Sequence, residues 1–165
     1  VHTEQSTSFA DGFLPEVCRK WEAAPANISE TTKLVLIRLG VVLGINGGML
    51  KKLKPVFKLC LGGRMGSGKQ PFPFIHIHDV AGAIIHILSM PSPAEIYNLV
   101  SPEMITNKQF TKAFAKALHR PAILAVPAFG LKILFGKRST LILEGQKVIP
   151  GKLQQDARRR LPIPI

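Results

Sequence analysis

Leu34-Val35-Leu36-Ile37-Arg38-Leu39-Gly40-Val41-Val42-Leu43-Gly44 is the stretch whose reading decides the fold. It is an apolar, β-branched run without polar alternation. Such a run reads as a strand buried on both faces, as in a parallel sheet covered by helices, and predicts no wet face. Gly40, Gly44, Gly47 and Gly48 mark where the chain leaves the sheet. Open α/β sheets bind ligands beyond the carboxyl ends of their strands. Val41 to Gly48 is therefore the candidate ligand crevice. The plain alternative is a core strand running into a loop.

Outward from that strand, helical and extended patterns alternate. A helix capped by Ser8 or Asp11 is expected to run to Ala24, burying Phe13, Val17 and Trp21 until Pro25 ends it. After Gly48, Leu50, Leu53, Phe57 and Leu61 recur at helical spacing, and Pro55 should kink that helix or mark a second start. Gly62 to Pro73 reads as a glycine-rich loop and Phe74 to His78 as a strand. Asp79 is the expected cap of a helix with Val80, Ala83, Ile84, Ile87 and Leu88 inward. Ile96 to Val100 is another strand. Thr106 caps a helix burying Phe110, Phe114, Ala117 and Leu118. Pro127–Phe135 and Ser139–Val148 read as two more helices. Strands alternating with helices predict a parallel or mixed sheet in an α/β layer structure.

A chain of 165 residues suffices for one domain with a core, and 46% hydrophobic against 19% charged residues is globular composition. The net charge of +12 attracts anions. The basic runs Lys51-Lys52, Lys137-Arg138 and Arg158-Arg159-Arg160 are scattered, with no single-faced stripe interleaved with aromatics, which disfavours nucleic acid. Cys18 and Cys60 have no paired spacing, which fits a reducing, intracellular compartment, cytoplasmic or an organelle such as the mitochondrion. Pro121 to Gly136 is too short and interrupted to span a bilayer, so no membrane partner is expected. No signal peptide is visible, and a start at Val1 without Met suggests a piece of something longer or a processed product.

Three motifs invite chemistry. Gly63-Arg64-Met65-Gly66-Ser67-Gly68-Lys69-Gln70 nearly matches a phosphate-binding loop. Gln70 replaces the required hydroxyl, and Pro71 and Pro73 follow where a helix should start, so a nucleotide-triphosphatase loop is not expected. Arg64 and Lys69 can still meet an anionic ligand. His76-x-His78-Asp79 offers two imidazoles on one strand face, but a zinc site wants three or four ligands, so no metal is expected. Cys18, beside Val17 and Trp21, reads as a buried inert thiol.

The motifs also have a familiar order. Phe13-Leu14-Pro15-Glu16-Val17-Cys18-Arg19-Lys20-Trp21-Glu22 is followed by Arg38 to Gly44, then Gly66 to Gln70 with Phe74-Ile75-His76-Ile77-His78-Asp79-Val80-Ala81. Tyr97 to Pro102 with Thr106 to Phe110, His119-Arg120-Pro121-Ala122 and Leu143 to Pro150 complete it. From Phe13 to about Leu153 this string resembles the epimerase-family branch of the short-chain dehydrogenase/reductases, atypical member group 39U.

The resemblance implies the carboxyl-terminal portion of an NADP(H)-linked epimerase or oxidoreductase, with NAD as the other cofactor. It implies a partial Rossmann-like α/β fold. Residues 1–100 would belong to the cofactor domain, 101–153 to a small helical substrate-side region, and 154–165 to a divergent tail. Gly40, Val41, Val42, Leu43 and Gly44 would line the nicotinamide pocket. Position and charge put Arg64, Lys69 and His76 toward a small-molecule substrate. The superfamily's Tyr-x-x-x-Lys pair has no counterpart on the Phe13–Ala24 helix, so the catalytic residues are unknown. The alternative is a non-catalytic binding or assembly module that keeps the fold. An open sheet edge would favour an oligomer or larger complex.

Overall fold

The computed structural model describes residues 1–6, 13–29, 31–126 and 145–160. Helix α1 (Phe13–Ala23) leads to the long strand, which occurs as β1 (Leu36–Leu39) and β2 (Val41–Leu43). Helix α2 (Gly48–Lys58) follows, then β3 (Gly63–Met65), β4 (Pro71–Phe72), β5 (Phe74–His76) and α3 (Ile77–Leu88). Next come β6 (Ile96–Leu99), β7 (Ile105–Thr106), α4 (Asn107–Ala117), β8 (Leu124–Val126) and α5 (Gly151–Arg160). β1 pairs with β6, β2 with β5 and β3 with β8, all parallel, while β4 pairs antiparallel with β7. This is the expected α/β class, with the described strands paired two by two, three pairs parallel and one antiparallel.

Gly40 is where the long strand changes partner. Its amide donates to Leu99 O (3.1 Å), the last bond toward β6. The next amide, on Val41, donates to Pro73 O (2.8 Å), the first toward β5. A Cβ on Gly40 would lie 2.8 Å from Val100 Cγ1 and 3.0 Å from Pro73 O. Three segments thus converge at closer than side-chain distance, and only glycine fits.

The core lies between this strand, β6 and α3: Ile75, Val80, Ala83, Ile87, Tyr97 and Leu99 are buried together. A second apolar group stacks Phe72 on Phe110 (4.3 Å), Phe110 on Phe114 (5.8 Å) and Phe114 edge-on to Phe57 (4.9 Å). It joins α2 and α4 through aromatic contacts. Thr106 caps α4 as expected, in a reciprocal capping box with Gln109. Both α2 and α4 end in the paired hydrogen bonds of a Schellman motif: Leu61 N to Val56 O with Cys60 N to Phe57 O, and Arg120 N to Ala115 O with His119 N to Lys116 O. Cys60 (φ 60°) and His119 (φ 52°) take the left-handed position usually given to glycine.

Several expectations are corrected. The long strand is half-buried, with Leu34 and Leu39 (54% accessible) exposed, because among the described residues β1 is paired only with β6. Phe13, Trp21 and Cys18 are exposed rather than inward. Ile84 and Leu88 of α3 and Ala117 of α4 also face out, the buried stripe of each helix being narrower than its apolar stripe. Pro55 neither splits nor restarts α2, which runs through it as one helix. The Gly62–Pro73 loop contains β3 and β4.

Across residue 100, β7 pairs with β4 and β8 with β3, and residue 154 lies in α5, which packs on β6. α5 is described as far as Arg160. Of the two late helices, Pro127–Phe135 and 139–144 lie outside the described residues. Gly145–Val148 is not helical, and Val148 bridges to His2.

Replacing Gly40 by Ala is expected to lower stability by about 1–3 kcal/mol through overpacking of Val100 and the Pro73 carbonyl. The urea midpoint of the purified chain checks this, and an unchanged midpoint would mean the three segments can spread without cost.

Candidate functional site

The parallel pairing of β2 with β5 sets Leu43 opposite His76. The carboxyl ends of two strands therefore lie side by side, with Gly44 leaving one and α3 starting directly from the other. His76 is the N-cap of α3, its Nδ1 accepting from His78 N at 3.3 Å. This corrects Asp79 as the cap; Asp79 sits instead in the first turn, where a carboxylate suits the helix dipole. With Nδ1 accepting, a neutral His76 carries its proton on Nε2. The His78 ring lies edge-on, 4.9 Å away. No group of three metal-ligating side chains occurs among the described residues.

Beyond Gly44 the chain opens. A Cβ on Gly47 would meet nothing within 4 Å, and Gly48 turns the chain into α2 with φ +60°. Gly47 caps α2 without a side-chain bond. No acidic residue occurs from Thr31 to His78, and Asp79 in the first turn of α3 is the first carboxylate that follows.

Arg64 and Lys69 belong to a neighbouring turn rather than to the β2–β5 edge. Arg64 NH1 donates to Ser67 O (2.8 Å) and Gly66 O (3.3 Å), bracing the β3–β4 turn. Asn107 and Lys108 amides at the start of α4 bond Gln70 O and Gly68 O, which fixes the turn on that helix. Lys69 is exposed, and no hydrogen bond or ion pair holds its amine among the described residues. The β2–β5 pairing thus unites Gly40, Val41, Val42, Leu43 and Gly44 with His76, whereas Arg64 and Lys69 form a separate basic pair.

Two polar clusters lie outside the residues that the sequence motifs single out. Arg38, mid-strand, makes a two-pronged ion pair with Glu22 of α1 (Nε–Oε1 2.7 Å, NH2–Oε2 2.8 Å) and donates to Ser6 O. The hydrogen bond to Glu22 raises the guanidinium pKa further, against the cost of desolvation, with the Glu22 and Glu4 charges adding to it. Buried Glu4 accepts from Asn98 N (3.4 Å) and from Lys152 N (3.1 Å) in the first turn of α5. These bonds tie the first residues to the last helix. An arginine inside an apolar strand was their only sequence signal.

Tyr97, the single tyrosine, is fully buried on β6. Its hydroxyl donates to Asp156 Oδ2 (2.7 Å) and accepts from Ala94 N (2.9 Å). Burial, then the bond to Asp156, push its pKa up. It is a structural clasp for α5 and cannot reach a substrate.

Comparison with known proteins places this geometry. A family model described as a domain of unknown function, DUF1731, matches residues 126–156. The Arabidopsis thaliana protein named Epimerase family protein SDR39U1 homolog, chloroplastic, is 39% identical over 94% of this chain and 44% of its own length. Human Epimerase family protein SDR39U1 is 41% identical over 85% of this chain and 48% of its own. A crystal structure of the human protein (isoform 2) with NADPH superposes with a TM-score of 0.89 at 38% identity, over 94% of this chain and 53% of that one. The chain belongs to the SDR39U1 epimerase family. It spans about half the length of the curated relatives it matches. A Corynebacterium glutamicum nucleoside-diphosphate sugar epimerase aligns over 96% of this chain at 27% identity and a TM-score of 0.62, which fits the Rossmann-like fold of the SDR39U1 family. The DUF1731 match runs through Asp156, so the partner of Tyr97 lies inside the segment the family model covers.

Tyr97→Phe is expected to cost about 1–3 kcal/mol, because Ala94 N and the Asp156 carboxylate lose their partner. The raised tyrosine pKa sets the pH dependence. Its contribution is complete below the ordinary value of 10.0 and is lost as pH climbs above it. Unfolding midpoints between neutral pH and pH about 11 should fall more steeply for the native chain than for the Phe variant.

Proposed function

We propose that this chain is the nicotinamide- and substrate-facing part of an NADPH-linked epimerase or oxidoreductase of the atypical short-chain dehydrogenase/reductase class. The observation that carries this reading is the adjacency of Leu43–Gly44 and His76 at the carboxyl ends of two parallel strands. The open glycine loop beyond it and the absence of acidic residues from 31 to 78 suit an anionic dinucleotide. The human relative crystallised with NADPH favours NADPH over NAD.

Gly40, Val41, Val42, Leu43 and Gly44 would hold the nicotinamide side and keep water from it. When bound, the dinucleotide supplies or accepts a hydride. His76 Nε2 would hold a proton or bond a substrate oxygen. The Lys69 amine would attract an anionic substrate group, with Arg64 keeping the turn in shape. Exposed free thiols at Cys18 and Cys60 suit a reducing intracellular compartment.

A second reading also has an observation behind it. α1 carries no tyrosine, and Tyr97 is committed to Asp156. A non-catalytic binding or assembly module that keeps the fold accounts for both. The exposed Leu39, Ile85 and Leu88 would then serve contacts with another chain.

Amide chemical-shift mapping with NADPH tests the first reading. Shifts at residues 43–48 and 76–78 with an affinity in the roughly millimolar range are expected, since half a site is engaged. Leu43→Arg should abolish them, and no shift there at saturating NADPH overturns the reading. Lys69→Ala should raise KM more than it lowers kcat once a substrate is found. A stable larger complex on size-exclusion of native extract, with no NADPH response, would favour the assembly module.

A further inference from the structure

The opposite end of α2 carries an observation that this reading does not use. α2 presents Lys51, Lys52, Lys54 and Lys58, all exposed, and no acidic residue. None has an ion-pair partner among the described residues. Helix α4, joined to α2 by the Phe57–Phe114 contact, adds exposed Lys108, Lys112 and Lys116, one per turn, again without an acid. Uncompensated like charges on two adjoining helices repel one another and lower stability. A partner of opposite charge would offset that cost.

The same segment exposes aliphatic side chains beside its lysines. Val56 is 41% accessible, Leu59 70% and Leu61 57%. They are held out by a rigid device, the Schellman closure of α2, with Cys60 in the left-handed position. The aromatic rings of both helices turn inward into the Phe57–Phe114–Phe110–Phe72 stack. Single-stranded nucleic acid is bound on exposed rings, which this surface lacks. Lysines flanking exposed aliphatics are the chemistry of an anionic lipid surface, where the amines meet headgroups and the apolar tips enter the acyl boundary. Such docking is peripheral and needs no spanning segment; no described helix is long and apolar enough to cross a membrane.

We propose that the carboxyl-terminal end of α2, with its Leu59–Leu61 tip and the lysines of α2 and α4, is a docking surface for anionic lipid. This reverses the expectation of no membrane partner, which rested on the absence of a span.

Sedimentation of the chain with vesicles tests it. Vesicles containing about one-third phosphatidylserine should carry the chain down, and pure phosphatidylcholine should not. Binding should weaken steeply as salt rises through about 0.1 M. Lys54→Glu with Lys58→Glu should weaken it at least about tenfold. Leu59→Ser with Leu61→Ser should weaken it while leaving the salt slope unchanged, and circular dichroism verifies that both variants keep the native helix content. Trp21→Ser, which removes an exposed aromatic elsewhere, should bind as the native chain does. Equal sedimentation with neutral vesicles, no sedimentation, or native-like binding by the charge-reversed variant would overturn the proposal. So would equal loss in Trp21→Ser, or preference for a single-stranded RNA lost in the same lysine variant.

Discussion

At Gly40 three segments approach within the space of one missing methyl group. The strand before it is bonded to β6 and the strand after it to β5, and Val100 and the Pro73 carbonyl close over the position. That contact lets one chain run serve two parallel pairings. The pairing after Gly40 carries the candidate site, because it sets His76 against Leu43. The pairing before it carries the core, because it sets Tyr97 and Leu99 beside Ile37 and Leu39.

Around this crossing, buried and half-buried polar groups do the fastening. Arg38 draws α1 to the strand through Glu22. Glu4 and Tyr97 each grip α5, one at its first turn and one at Asp156. Buried groups of this kind are tolerable only when hydrogen-bonded, so each also specifies where its partner element must lie. Residues far apart in sequence, at positions 4, 97 and 156, thereby define one end of the molecule.

Charge is distributed differently from this fastening. The ion pairs among the described residues, Glu16–Lys20 and Glu22–Arg38, both involve α1. α2 and α4 have none. Positive potential therefore accumulates on the helices that flank the β3–β4 turn and follow the glycine loop.

The sequence by itself determined the α/β class, an extended run centred on 34–42, Thr106 as the cap of α4 and the family. These are local signals: β-branched runs, a threonine ahead of a helical pattern and short motifs in a set order are readable wherever they occur. It also marked Gly40, although as an exit from the sheet rather than a crossing. Tertiary structure decided the rest. Apolar periodicity names the stripe of a helix able to be buried, and only the neighbours present settle how much of it is; Phe13, Trp21, Ile84 and Leu88 are therefore exposed. His76 outcompeted Asp79 as a cap because β5 ends where its ring reaches the His78 amide. Arg64 and Lys69 separated from His76 because the backbone bonds of α4 hold their turn, and sequence spacing carries no information about such long-range bonds.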